Sequence, residues 1–595
     1  MTSMDTDPHH PVVLTGNDLA IEDVVAVARG HQPVASMANA AGAVRERMEK
    51  SAAWVRGAIE DVRRHRQEGT KPPAFYGINT GFGHLAGRAA FVDPDDAQRL
   101  SRNLIVSHSV CVGDYFEEDV VRAAMLIRAN TLAKGFSGVR SEVIDTLITM
   151  LNRGVYPAVP KKGSVGASGD LAPLAHLALV MSRPPDGPGE DESGEAFVRD
   201  ERSGWALVSG KEAMQRAGIG RIVLGAKEGL ALNNGATFSA AMAALTVYDA
   251  ENLVENAEIA LAMTLEAMRG FRDPYFPQVH QVRAHPGQGI TAERVLCLVQ
   301  GSSLLDGDQD ADPVQCPPQD PYSLRCAPQV IGAVRDTLCF VCGIVEAEIN
   351  AATDNPLIFT DLARAYKAVS CGNFHGEPLA FAMDFTGIVV SELGNIAERR
   401  IFQLVDYHKR PGESEADALP SRLLKEDAAK EGLNSGFIMP QYTAAALVSD
   451  CKTLAHPDSV DSIPTSGSKE DHVSMSTNAA RHAREIVWNI EQVIAIELLC
   501  AAQALDFRID GGGATLGAGT HVAHKHIRAA VTHLDGDRVL YPDMRRVAAL
   551  VQSGDVVKKV WQALDKDGDA HISAQIGALE RQIAYLQARK QRYER

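Results

Sequence analysis

No stretch of this sequence is both free of charge and apolar for long enough to cross a bilayer, so no membrane span is expected. The first twenty residues, MTSMDTDPHHPVVLTGNDLA, are polar and carry Asp5 and Asp7, so no secretory leader is expected either. Positive charge is the scarcer sign. Fifty-nine Lys and Arg stand against 76 Asp and Glu, a formal net charge of −17, which argues against a general nucleic-acid binder. Cysteine is sparse too: nine in 595 residues, an odd number scattered along the chain. That usage fits reduced thiols in a cytoplasmic protein better than a disulfide framework. Cys339 and Cys342 form a single CxxC, but it lies within VRDTLCFVCGIVEAEI, which reads as a helix, so neither metal nor redox chemistry is expected of it. Asp565, Asp567 and Asp569 begin like a calcium loop. The glycine of the sixth position is absent (Ala570), as is the closing glutamate (Ile576), so the segment reads as a polar turn and no metal is expected.

What the sequence has in quantity is helix. VRERMEKSAAWVRGAIEDVRRH places apolar residues at three-to-four spacing, and residues 115–153 read as two helices broken at AKGFSG. From residue 225 onward the pattern lengthens. ATFSAAMAALTVYDAENLVENAEIALAMTLEAM runs more than thirty residues without Pro or Gly, and PQVIGAVRDTLCFVCGIVEAEINAA and REIVWNIEQVIAIELLCAAQAL are similar. Such segments predict a mainly α protein built on a long-helix bundle. The division expected is an N-terminal domain over 1–225, a central bundle over 226–520 and a C-terminal helical region over 521–595. Acidic or Pro/Gly-rich stretches from 183, 306 and 410 read as surface insertions. Ile572, Ile576, Leu579, Ile583 and Leu586 make a stripe too short for a coiled coil, as on a packed surface helix.

Between these helical regions lies GSVGASG (163–169), followed by Asp170 and LAPLAHLALV. Side chains supply nucleophiles, acids and bases, yet none is a good electrophile. A reaction needing an electron sink borrows a metal or cofactor, or makes one from the backbone. An Ala-Ser-Gly tripeptide suits that last route. The Gly amide nitrogen can close onto the Ala carbonyl carbon, and serine can then lose its hydroxyl to leave an exocyclic methylene. Small residues also make ordinary tight turns, so the tripeptide alone leaves both readings open.

The surrounding sequence carries a resemblance. GSVGASGDLAPLAHLAL, YGINTGFG (76–83), AKGFSGVR (133–140), AKEGLALNNG (226–235), QDPYSLRCAPQV (319–330), GNFHGEPLA (372–380), NSGFIMPQYTAAAL (434–447) and LAHPDSVDSIPTS with KEDHVSM (454–475) together resemble the aromatic amino acid ammonia-lyases, over roughly residues 12–550. The resemblance is strongest to the histidine-using branch. It implies the long-helix fold of the ammonia-lyase and fumarase type with an N-terminal loop domain, and an electrophile, 4-methylidene-imidazol-5-one (MIO), made from Ala167, Ser168 and Gly169. No external cofactor and no metal is implied. Carried onto matching positions, Tyr76 is the base that takes the β-proton, which requires stabilisation of its anion near neutral pH. Arg325 clamps the substrate carboxylate, a planar pairing lysine cannot reproduce. Asn234, Gln319 and Tyr322 line the site around MIO, and Phe374 packs near the ring.

Substrate choice in that family rests largely on two residues of RNLIVSHSVCVG, here Ser107 and His108. An imidazole offers a donor and an acceptor, which a polar pocket can meet. Glu470 of KEDHVSM can accept from the imidazole N–H. The implied reaction is deamination of L-histidine to trans-urocanate and ammonia, the opening step of histidine catabolism, by a cytoplasmic homotetramer whose active sites combine residues of several subunits. Lys469, where glutamine is usual, and Asn233, where an apolar residue is usual, depart from the pattern. They leave open a histidine derivative such as ergothioneine, a tyrosine or phenylalanine substrate, or an MIO aminomutase.

Overall fold

The computed structural model describes residues 10–83, 86, 95–166, 168–187, 192–200, 204–306, 319–364, 366–407, 418–426, 432–510 and 513–564. The Asp565 turn, the stripe from Ile572 to Leu586, Ala167 and most of the stretches from 306 and 410 lie outside these residues. The expected helices are present. The first is Gly42–Gln67, and AKGFSG separates Glu118–Ala133 from Ser141–Asn152. That break has a steric cause: Gly135 and Gly138 both adopt positive φ, and a Cβ on Gly138 would meet the Val55 side chain.

Three helices form the frame: Thr237–Ala267 (31 residues), Glu377–Val405 (29 residues) and Ser476–Ile509 (34 residues). Alanine at many facing positions lets them approach closely and leaves few voids. One apolar core gathers residues from Val12 to Val247, the C-terminal half of Ala327–Ile349 and the starts of two frame helices; a second gathers Ala250 onward. The frame helices run through both. Glu377–Val405 is long and apolar enough to cross a membrane by composition alone, yet 67% of its apolar window is buried in the protein and it carries the fully buried Arg400. It is a core helix. Arg400 pairs with Glu497 across it (Nε–Oε1 2.5 Å, Nη2–Oε2 2.8 Å), and Thr264 Oγ1 donates to the same carboxylate at 2.9 Å. One buried ion pair thus ties all three frame helices, with its charges compensated as burial demands.

Three small sheets among the described residues were not foreseen, and the largest has three strands. Glu195–Asp200 and Gly204–Ser209 form an antiparallel pair that Tyr156–Pro157 extends, with Tyr156 packed on Trp205 at 4.6 Å between ring centroids. Every cysteine among the described residues is free. Cys342 lies on Ala327–Ile349 as expected, and burial beside Glu251 pushes its thiol far above the ordinary range, so it holds its proton.

At the C-terminal end of the frame, Asp506 receives His524 Nε2 at 2.7 Å, His533 Nδ1 at 2.6 Å and Arg528 Nη2 at 2.8 Å. Burial pushes this carboxyl up. The two histidine hydrogen bonds and the Arg528 charge overcome it and hold the carboxyl at about 2. A depressed carboxyl stabilises the fold above its ordinary value, and that contribution is lost as pH falls through about 2. Asp506→Asn is therefore expected to melt below the unsubstituted protein at neutral pH, with the gap closing as pH falls from 4 toward 2. Melting curves across that series check it; a gap that widens with acid contradicts it.

Candidate active site

The glycine-rich turn lies between the strand Pro160–Lys162 and the helix Leu171–Met181. Its backbone is left-handed at Gly166 (φ 68°), Ser168 (φ 52°) and Gly169 (φ 74°), a conformation that disfavours a β-carbon. Glycine is required at 169 for a second reason. The backbones of Gly169 and Gly235 form a bridge, and a Cβ on Gly169 would fall on the Gly235 main chain. Gly235 N donates to Ser168 O at 3.2 Å, Asp170 N to Gly235 O at 2.9 Å, and Asn234 Nδ2 to Ser168 O at 2.8 Å. The turn is thus clamped against the start of the longest uninterrupted core segment, where ALNNG leads into Thr237–Ala267.

Beneath it, Asp170 is fully buried and surrounded by donors. Ser164 Oγ (2.8 Å), Ser239 Oγ (3.1 Å) and Thr477 Oγ1 (2.5 Å) reach Oδ1, and Ser239 N reaches Oδ2 at 2.8 Å. A buried carboxylate needs such a cradle. Arg128, also fully buried, donates to the carbonyls of Asn234 (3.0 Å) and Ala231 (3.2 Å), and burial brings its guanidinium down to about 10. Neither the cradle nor Arg128 stood out in the sequence, because hydroxyls from three distant segments have no common spacing.

Ser168 Oγ donates to Glu470 Oε1 at 2.8 Å, joining two motifs 302 residues apart. Glu470 also lies close enough to Tyr76 and His108 to act on the protonation of both. His108 stands at the end of the helix Asp95–His108, with Ser107 Oγ 3.0 Å from its Nδ1; burial lowers its pKa, opposed by Glu470, so the ring is neutral near pH 7. Tyr76 is half-buried, edge-on to Phe82, with Gly83 N at 3.5 Å from its hydroxyl. Burial raises its pKa, the Gly83 N–H opposes, and the Glu470 charge adds to the rise. The anion stabilisation that a tyrosine base needs is thus not supplied by these neighbours. Phe374 is half-buried beside Gly376, whose N–H donates to Gly166 O at 3.3 Å.

Three expected residues are elsewhere. Gln319 and Tyr322 are exposed, Arg325 lies 4.7 Å over the Tyr322 ring, and Arg325 Nε donates to Asp320 O at 3.2 Å. Asp320 in turn accepts from Phe271 N at 2.7 Å. Phe271 follows the far end of Thr237–Ala267, whereas Gly235 at its near end holds the Ser168 turn. Thirty-one residues at 1.5 Å each separate the two by about 46 Å, so one chain cannot bring Arg325 to Ser168.

Two departures from the family pattern resolve differently. Lys469 is exposed, and among the described residues no ion pair joins it to Glu470, whose carboxylate is taken up by Ser168 and Thr465. Asn233 is fully buried, and neither atom of its amide has a hydrogen-bond partner among the described residues. Each such atom costs about 1–3 kcal/mol. Asn233→Leu, near in volume and apolar, is expected to stabilise the protein by about 1–3 kcal/mol, read from chemical unfolding. A loss of stability would mean that the amide finds a partner outside the chain.

Among the described residues one group has metal-ligand chemistry, His375, Glu377 and His472. His375 Nε2 already meets His472 O at 3.3 Å and its Nδ1 accepts from Glu377 N at 3.4 Å, so its ring nitrogens are engaged with the main chain. The arrangement as a whole holds Ser168 and Gly169 in left-handed backbone and brings a carboxylate, a phenol and an imidazole to the same region.

The sequence model of the aromatic amino acid lyase family matches residues 19–529. A histidine ammonia-lyase of Caldanaerobacter subterraneus subsp. tengcongensis is 47% identical over 94% of this chain and 99% of its own length. Among solved structures, histidine ammonia-lyase from Trypanosoma cruzi superposes with a TM-score of 0.78 at 35% identity, covering 94% of this chain and 96% of that one. Tyrosine aminomutase from Streptomyces globisporus superposes with a TM-score of 0.79 at 33% identity, covering 93% and 99%.

Proposed function

Because the chain belongs to the aromatic amino acid lyase family and is a carbon–nitrogen lyase, we propose that it deaminates L-histidine to trans-urocanate and ammonia at the Ser168 turn. The observation that carries this reading is Glu470: it accepts from Ser168 Oγ at 2.8 Å, and its charge acts on both Tyr76 and His108. The turn fits the MIO group, since Ser168 and Gly169 are already left-handed, Gly169 has no room for a β-carbon, and Asn234 and Gly235 hold the Ser168 carbonyl. Formed from Ala167, Ser168 and Gly169, MIO supplies the electrophile that this chain's side chains lack.

The side chains divide the remaining work. Tyr76 takes the β-proton. Glu470 accepts from the imidazole N–H and neutral His108 donates its own N–H to the other nitrogen, so neither nitrogen is left unpaired at about 1–3 kcal/mol. Ser107 orients His108 through its 3.0 Å contact. Phe374 packs beside the turn. Arg325, Gln319 and Tyr322 are supplied by other copies in a homotetramer, because neighbouring Asp320 is tied to Phe271 at one end of a helix about 46 Å long and the Ser168 turn to Gly235 at the other. The exposed aromatic faces of the frame support such an assembly: Phe381 and Phe385 stack at 6.3 Å on Glu377–Val405 with Phe340 beside them, all three exposed.

An ultraviolet progress assay on purified protein, offering L-histidine, L-phenylalanine, L-tyrosine and ergothioneine separately, tests the proposal. Urocanate from histidine, absent with Ser168→Ala, is the expected result. A product from another substrate alone would overturn the histidine assignment. Silence with all four, together with a β-amino acid found by mass spectrometry, would overturn the lyase in favour of a mutase.

A further inference from the structure

Thr465 and Glu470 close a short turn. Thr465 N donates to Glu470 O at 2.9 Å and Ser468 N to Thr465 O at 3.0 Å, while Ser466, Gly467 and Ser468 all adopt left-handed backbone (φ 50°, 61° and 61°). Two of those residues carry a β-carbon, so the turn holds strain that the surrounding structure must sustain. The same two residues meet again through their side chains: Thr465 Oγ1 donates to Glu470 Oε2 at 2.7 Å. Glu470 Oε1 points the other way, to Ser168 Oγ at 2.8 Å. Ser466 abuts Gly83 so closely that a Cβ there would strike its hydroxyl, and Gly83 N faces the Tyr76 hydroxyl at 3.5 Å. One strained turn thus grips the Glu470 carboxylate and braces the loop of Tyr76.

We propose that Thr465 is a positioning residue that fixes the Glu470 carboxylate for the substrate ring. The inference rests on the reading that Glu470 faces the imidazole. A glutamate carboxylate turns about its last torsion with little preference, so it needs an anchor to present one oxygen in a set direction. Forming MIO releases two waters, one carrying the Ala167 carbonyl oxygen as Gly169 N closes the ring and one carrying the Ser168 hydroxyl as the methylene forms. Oε1 is thereby released for an imidazole N–H, while Thr465 keeps hold of Oε2.

Calorimetric titration of purified enzyme with trans-urocanate, which carries an imidazole, and with cinnamate, which carries a phenyl ring, tests this alongside kcat and KM for histidine. Thr465→Val, isosteric but without the hydroxyl, should weaken urocanate about tenfold or more, the scale of a hydrogen bond to a charged group, raise KM for histidine, and leave cinnamate unchanged. Thr465→Ser should restore the wild-type values. Equal weakening of both ligands, or no rescue by serine, would reduce Thr465 to a structural residue and overturn the inference. Glu470→Gln separates the two levels. If it binds and turns over as wild type, the reading of Glu470 fails and takes Thr465 with it. If it fails while Thr465→Val is unaffected, only the positioning role is lost.

Discussion

Replacing Ser168 with alanine is expected to lower kcat for histidine by at least about 10³-fold, the scale on which enzymes fall when the reacting group is removed, while the helical frame stays folded. The chemistry requires the serine oxygen to leave; a methyl group has nothing to lose, so the exocyclic methylene cannot form. Folding should survive because the clamps on the turn do not use the side chain. Asn234 and Gly235 bind the Ser168 carbonyl, and the Asp170 cradle lies beneath it. Gly169→Ala offers the contrasting case. It keeps the serine but places a β-carbon on the Gly235 main chain at a φ of 74°, so it should lose activity and stability together. Circular dichroism with a histidine assay distinguishes the two. A Ser168→Ala protein that retains activity would remove the electrophile from the account.

Tyr76→Phe is expected to lower kcat/KM by about 10²–10⁴-fold, the usual worth of a positioned base, with little change in stability, because among the described residues the Tyr76 hydroxyl makes only the 3.5 Å approach to Gly83 N. The pH profile should carry a second mark. Burial raises the Tyr76 pKa and the negative Glu470 adds to it, so the reactive phenolate grows with pH. Activity should therefore climb through neutral into alkaline pH in the wild type and lose that limb in Tyr76→Phe. In the proposed tetramer, the guanidinium of Arg325 from another copy is the charge suited to lower that pKa. A Tyr76→Phe enzyme with the wild-type profile would show that another group takes the proton.

The long helices were legible because alanine-rich segments without Gly or Pro can satisfy their backbone in one way only, and the breaks at Gly135 and Gly138 were visible as composition. The sheet pair Glu195–Asp200 with Gly204–Ser209 was not, since an acidic, Gly-rich stretch precedes it and its pairing partner Tyr156 lies 40 residues upstream. At the site, Ser168, Asn234, Tyr76, His108 and Glu470 were identified through their motifs and are neighbours in space. Motifs name residues, however, and carry no distances. That Arg325 sits a full helix length from Ser168 follows only once Gly235 and Phe271 are seen at opposite ends of Thr237–Ala267. Thr465 and the Asp170 cradle were missed for another reason: a lone hydroxyl leaves no periodicity, and its role exists only in the hydrogen bond it makes.

The central claim is that this chain builds its own electrophile, and the mass of the proteolytic peptide spanning residues 163–170 tests it most directly. Ring closure between Gly169 nitrogen and the Ala167 carbonyl releases one water, and loss of the Ser168 hydroxyl releases another. A peptide lighter than its sequence by two waters is expected, and a Ser168→Ala peptide without that double loss. A wild-type peptide at its full sequence mass in active enzyme would contradict it.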